Sequence, residues 1–286
     1  NVDEAGLYSF FDTGAVPTPT LLLMDEVQKT SLAKLQSELA IEESKLEYFR
    51  NAAGVKLDAW IEEVKGSKDP DAVAAPAAIY EADFSKTKNA GNALVESPYG
   101  LAVKLTGDDA VQIGAGKFKR FQPFSIATRI KVPAQPDGKP IQRNVIFHCS
   151  RAWTDSASRG YQLLIENGRL QASLIHFWPG NAISVSTTDI VPTDRWIHVV
   201  MTYDGSSRAN GIQVYFDGNR QSLNIVRDNL QKTILGSGTD QIAIGARFRD
   251  RGFTDGQVAD FKIFDRQLSQ LEAAYFANSQ SETSLK

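Results

Sequence analysis

The chain has 286 residues, 42% of them hydrophobic, and 31 Lys and Arg against 34 Asp and Glu give a net charge of −3. That length and apolar content suit one large β domain with an appendage, or two small domains, and the near-neutral balance offers no basic face for nucleic acid. No run of about 18 apolar residues exists to span a membrane, and Cys149, the single cysteine, rules out an internal disulfide or a cysteine-based metal site.

Residues 1–23 are a proline-containing lead-in. The chain begins without Met and ends in a polar tail, 278–286, so it is read as a piece of a longer protein. From 24 to 66 the texture is helical. Leu32, Leu35, Leu39, Leu46 and Phe49 step by three, four or seven along one stripe, with Glu38, Glu42, Glu43, Lys45 and Glu47 on the other face. Gly54 can kink or divide this coiled-coil-like segment, so one helix and an antiparallel hairpin are both compatible with it. The Ala- and Pro-rich stretch 67–77 reads as a linker.

From 78 to 277 the pattern is β. Strands are expected at 79–84, 101–105, 110–113, 124–132, 145–149, 161–166, 170–176, 183–187, 196–203, 212–216, 241–244 and 258–264. The Asn167-Gly168 pair marks a hairpin. In 196–203, Trp196, His198, Val200 and Thr202 alternate with Ile197, Val199, Met201 and Tyr203. Apolar groups on both sides predict that both faces of this strand are covered. A closing helix over 268–277 is expected, with Ser269 as its cap.

Four blocks carry a resemblance: GLAVKLTGDDAVQIG; the pair FQPFSIATRIKV and RWIHVVMTYDGSS; VYFDGN; and GQVADFKIFDRQLSQLE. In this order they resemble a concanavalin A-like, laminin G-type jelly roll over residues 78–277. The resemblance implies an all-β antiparallel sandwich behind a helical N-terminal extension. A narrower likeness, in NVDEAGLYSFF, SRGYQLLIENGRL, LIHFWPGNAI and IGARFRDRGF, is to large secreted planctomycete-type proteins. In those, a laminin G-type insert follows a cytochrome c-like domain. It implies an exported, multidomain parent in which the lead-in, 1–23, is the tail of a preceding domain. The haem motif C-x-x-C-H is absent, so no haem is implied for this piece.

Catalysis finds little support. Jelly-roll glycosidases place carboxylates as E-x-D-x-E on one strand face so that two flank a glycosidic bond. Here Glu81 and Asp83 share a face, but Ser85 and Lys86 stand where the third belongs. No G-x-S-x-G is present, and the three histidines fall on unrelated strands, so His148 and His198 read as scaffold. For calcium, the carboxylates at strand ends are candidates, Asp83 and Asp260 foremost, because the first and last strands of such folds lie side by side. For a ligand surface, IHFWPGNAI sets His176, Trp178 and Asn181 around a Pro-Gly turn. Arg247, Arg249 and Arg251 share one side if extended, and Arg151, Trp153 and Arg159 can join them. Aromatic faces stack on sugar rings and guanidinium pairs with carboxylate or sulfate-like oxygens. The expectation is therefore a noncatalytic module binding carbohydrate on a concave face, one whose cations would suit an acidic or sulfated glycan. The rival is a spacer that docks flanking domains, and the helical stripe leaves room for a homodimer.

Overall fold

The structure is a computed structural model that describes residues 23–66, 76–152, 158–236 and 241–278, without the side chains of residues 50 and 55–66. It divides into two units at Ala75/Pro76.

The first unit contains helix α1, Glu26–Gly66. Asp25 caps it. The Gln28 amide donates to Asp25 Oδ1 at 2.7 Å, and the Asp25 amide donates to Gln28 Oε1 at 3.1 Å, a reciprocal box that satisfies two otherwise orphaned donors. The helix runs unbroken through Gly54, so of the two arrangements it is the single helix, about 60 Å long at 1.5 Å per residue. Among the described residues no helix is long and apolar enough to cross a membrane.

Among the described residues, the second unit is a sandwich of fifteen strands and a closing helix. They are β1 Tyr80–Glu81, β2 Ala93–Ser97, β3 Gly100–Lys104, β4 Val111–Ile113, β5 Phe124–Lys131, β6 Arg143–Cys149, β7 Gly160–Glu166, β8 Arg169–Phe177, β9 Asn181–Thr187, β10 Trp196–Tyr203, β11 Ile212–Phe216, β12 Asn219–Arg220, β13 Leu223–Asn229, β14 Ile242–Ile244, β15 Gln257–Phe264 and helix α2 Gln270–Asn278. One sheet has the order β12-β11-β10-β5-β15-β3-β2, with β1 also paired to β15. The facing sheet has the order β13-β9-β8-β7-β6-β14-β4. All the strand pairs are antiparallel. β10 and β11 fall at the expected residues. β2, β12 and β13 have no counterpart among the expected strands.

Strand β10 shows why both its faces are apolar. Ile197, Val199, Met201 and Tyr203 enter the core between the sheets, against residues such as Phe124, Phe147, Tyr161 and Leu174. On the outer side, Val200 joins Ala127, Tyr215, Phe264, Leu268, Ala273 and Phe276 in a second cluster beneath α2. Ser269 caps this helix as expected. The Glu272 amide donates to Ser269 Oγ at 3.3 Å and the Ser269 amide donates to Glu272 Oε2 at 2.7 Å. The polar outward residues of β5 are buried here and hold the helix. Ser125 Oγ donates to the Arg266 carbonyl at 2.8 Å and accepts from the Leu268 amide at 2.9 Å. The Arg129 guanidinium donates to the carbonyls of Phe276 at 2.9 Å and Ala277 at 3.1 Å, where a helix end favours a cation.

Candidate ligand-binding surface

Strands β8 and β9 are joined by Trp178-Pro179-Gly180, whose Trp178-Pro179 bond is cis. The segment after β13 is strapped beneath this turn. Asn229 donates its side-chain amide to the Gly180 carbonyl at 2.7 Å. Asn181 Oδ1 accepts the backbone N–H groups of Gln231 and Lys232, both at 3.1 Å. The His176 ring donates through Nδ1 to the Thr233 carbonyl at 2.6 Å. His176 and Asn181 are both buried. Through these bonds both residues brace the turn that presents Trp178. His176 Nδ1 and Asn181 Oδ1 hold a loop that the sequence gives no reason to bring there.

Trp178 is half-buried at the tip. Arg227 of β13 lies over its indole, 5.5 Å from guanidinium carbon to ring centre, within cation–π range. Arg227 is exposed and sits beside a register shift between Ile225 and Arg227. The sequence does not single out Arg227, because no pattern marks β13. Its signal is faint: LNIVRDN alternates poorly, being an edge strand exposed along most of its length.

The arginine run is not extended. Arg249 has φ +59°, which turns the chain. Arg247 is buried, and this corrects its assignment to the surface. It donates to Gln162 Oε1 at 2.6 Å and Ser150 Oγ at 3.3 Å, and through Nε to Asp250 Oδ2 at 3.0 Å. Asp250 also accepts from Arg143, at 2.7 Å from Nε and 3.2 Å from Nη2, and Arg143 reaches Glu166. Burial opposes ionisation of Asp250, but the bonds from Arg143 and the charge of Arg247 outweigh it and hold its pKa below the ordinary carboxylate value. Burial pushes the pKa of Arg247 down.

The three arginines separate. Phe248 bridges Ala152, just past the end of β6. That end lies on the row Cys149, Tyr161, Leu174, Ile183, and so on the side of the sandwich that carries Trp178. Phe248 is 66% exposed, with the Arg249 guanidinium 5.4 Å from its ring centre. Arg251 is at the other end: Gly252 bridges Val145, and Asp250 binds Arg143 at the start of β6. There Arg251 lines a cleft of about 820 Å³ with Asp108, Pro136, Arg143, Asp250 and Thr254. Trp178 with Arg227 and Phe248 with Arg249 therefore lie toward the same end of this sheet, and Arg251 toward the other. Arg151 is exposed and Arg159 half-buried. Trp153 lies outside the described residues.

Three of the four carboxylates that line the cleft are paired with the protein's own cations. In the cleft, Asp250 is held by two arginines, Asp255 lies 3.0 Å from Lys104 and Asp137 lies 3.2 Å from Lys139. A general acid needs a raised pKa, and Asp250 is shifted the other way. The first and last strands do pair, with Tyr80 opposite Ile263 and Glu81 opposite Lys262. The two carboxylates near this junction face the protein's own cations. Asp83 lies 2.8 Å from Lys86, and hydrogen bonds from Lys86 and then Ser85 lower its pKa to about 2. Asp260 contacts Lys262 and lies 3.6 Å from Arg129. Among the described residues no group of three or more His, Cys, Asp or Glu is placed to hold a metal.

Two antiparallel sheets packed face to face, the last strand central in one of them, define a jelly-roll sandwich. The profile of the Concanavalin A-like lectin/glucanases superfamily, in its laminin G branch, matches residues 105–274, more than half of the chain. The chain belongs to that superfamily. A search of curated proteins found no match. Among solved structures, the fold is similar to the binding domain of Paraclostridial Mosquitocidal Protein 1, with a TM-score of 0.50 and 16% identity over 66% of this chain and 46% of that one. It is similar as well to the Botulinum Neurotoxin Type G receptor-binding domain, with a TM-score of 0.50 and 16% identity over 71% of this chain and 51% of that one. The chain spans about half the length of these structures, and the likeness is one of fold.

Proposed function

We propose that the chain is a noncatalytic recognition module of a larger exported protein, and that it binds an acidic or sulfated glycan at the Trp178 turn. The observation that carries this reading is the pairing of Trp178 with Arg227 at an exposed edge, 5.5 Å apart. The ring offers a stacking face for a sugar and the guanidinium a donor fork for its anionic group. Phe248 with Arg249, on the same side of the sandwich, supplies a second such pair. The superfamily's name covers glucanases as well as lectins. The binding reading is preferred because the strand carboxylate set is missing and three of the cleft carboxylates, Asp137, Asp250 and Asp255, are tied to lysine or arginine. Export of the parent rests on the family resemblance.

The test is a glycan array on the whole chain, with and without calcium, followed by titration of the best acidic glycan. Trp178→Ala and Arg227→Ala should each weaken binding by about 30-fold, as expected for an aromatic or arginine hot spot, with unchanged unfolding curves. Arg251→Ala should leave binding unaltered. Absence of binding to any glycan overturns the proposal. Binding that survives Trp178→Ala and is lost in Arg251→Ala moves the site to the cleft.

A further inference from the structure

Helix α1 carries an apolar seam that no other described residue of its own unit covers. Leu32, Leu35, Leu39, Leu46 and Phe49 are between 40% and 64% exposed. Their steps alternate between three and four once Glu42 is counted in the series. With Leu32 at position a and Leu35 at d of a heptad, Leu39 and Leu46 also fall at a, and Glu42 and Phe49 at d. Glu38 and Lys45 then occupy g, and Gln36 and Glu43 occupy e. Val27, Ile41 and Tyr48 lie off this seam. A narrow a/d stripe of this kind is the pattern of a helix that packs along another helix.

We infer that the occupant is α1 of a second copy, lying antiparallel. Charge sets the direction. In a parallel pair each g residue faces the e residue of the next heptad, which sets Glu38 against Glu43 twice. In an antiparallel pair g faces g and e faces e. Leu32 packs on Phe49, Leu35 on Leu46 and Leu39 on Glu42 of the second copy, and Glu38 meets Lys45 at two symmetric places. Gln36 meets Glu43 without conflict. Lys29 meets position 50, an arginine, at the outer end of the overlap, where Lys29 is already 2.7 Å from Glu26. Glu42, the charged member of the seam, lies 2.7 Å from Lys45 on its own helix and enters the contact paired. This register gives four layers of Leu or Phe against Leu or Phe, and a slide of one heptad either way leaves two.

Charge reversal tests both the dimer and its direction. Sedimentation equilibrium on the whole chain should show a reversible dimer below about 100 µM, the range of a modest helix–helix contact. Glu38→Lys and Lys45→Glu should each weaken it about tenfold by setting like charges at both g–g sites. A 1:1 mixture of the two variants should recover the dimer as a heterodimer. Circular dichroism and the unfolding curve should be unchanged, because both positions are exposed. A chain that stays monomeric to about 300 µM overturns the inference. So does tighter association of Glu38→Lys, since that substitution relieves the parallel pair.

Discussion

Asp250→Ala should lower the stability of the sandwich by about 3–5 kcal/mol, the cost of leaving a buried ion without its partner. The side chains of Asp250 and Arg247 are each 1% exposed, and among the described residues Asp250 is the carboxylate that binds Arg247. Arg143 has Glu166 as a second partner, so the damage centres on Arg247. Adding Arg247→Met to Asp250→Ala should recover most of the loss, because an apolar side chain of similar length needs no counter-ion. Urea unfolding at pH 7 measures both variants. If Asp250→Ala costs less than about 1 kcal/mol, the network is solvated and Arg247 is not a buried charge. Equal stability of the single and double variants would assign the loss to Arg143.

Acid should weaken the sandwich well before its carboxylates titrate. His148 and His198 are buried neutral, each with a pKa lowered to about 4 from 6.5. Burial is the main cause for both, followed by the charge of Arg247 at His148 and of Arg129 at His198. His148 is fixed in one tautomer: Nε2 donates to the Ala246 carbonyl at 2.9 Å, and Nδ1 then accepts from Ser150 at 3.1 Å. His198 Nδ1 has no hydrogen-bond partner among the described residues. In the unfolded chain both rings take a proton near pH 6.5, and in the folded chain near pH 4. The unfolded state therefore binds more protons between these values. Stability is full above pH 6.5, falls as pH drops and levels off below 4. At 1.36 kcal/mol per pKa unit the loss is about 3 kcal/mol for each ring. Asp250, with its depressed pKa, extends the decline at still lower pH. Urea midpoints from pH 7 to 4 test this. His198→Leu should halve the slope in that window, and a slope that His198→Leu leaves untouched would show that this ring is already charged in the fold.

How much of this is legible in the sequence depends on where a residue sits. Strands β10 and β11 appear at their expected residues because each alternates between two apolar faces. β2 and β13 escape notice because edge strands are exposed and need no alternation: ALVES and LNIVRDN are half or more open to solvent. That oversight hides Arg227, the partner of Trp178. The arginine run shows the opposite failure. RFRDR alternates as a strand would, but the positive φ of Arg249 turns the chain, and Asp250 with Gln162 draws Arg247 inward. Gln162 lies 85 positions away along the chain, and no local pattern points to it.

The place of β15 has a bearing on synthesis. It lies between β5 and β3 in its sheet, and β1 joins its flank. The last of the described strands is therefore the one that bridges the two halves of the sheet. While the chain is still being translated, β5 has β10 on one side and an open edge on the other. Such an edge invites pairing with foreign strands. The sandwich cannot close vectorially as the chain emerges. Its cooperative step waits for residue 264 to clear the ribosome, and a chain released before Gln257 holds two half-sheets with no strand between them.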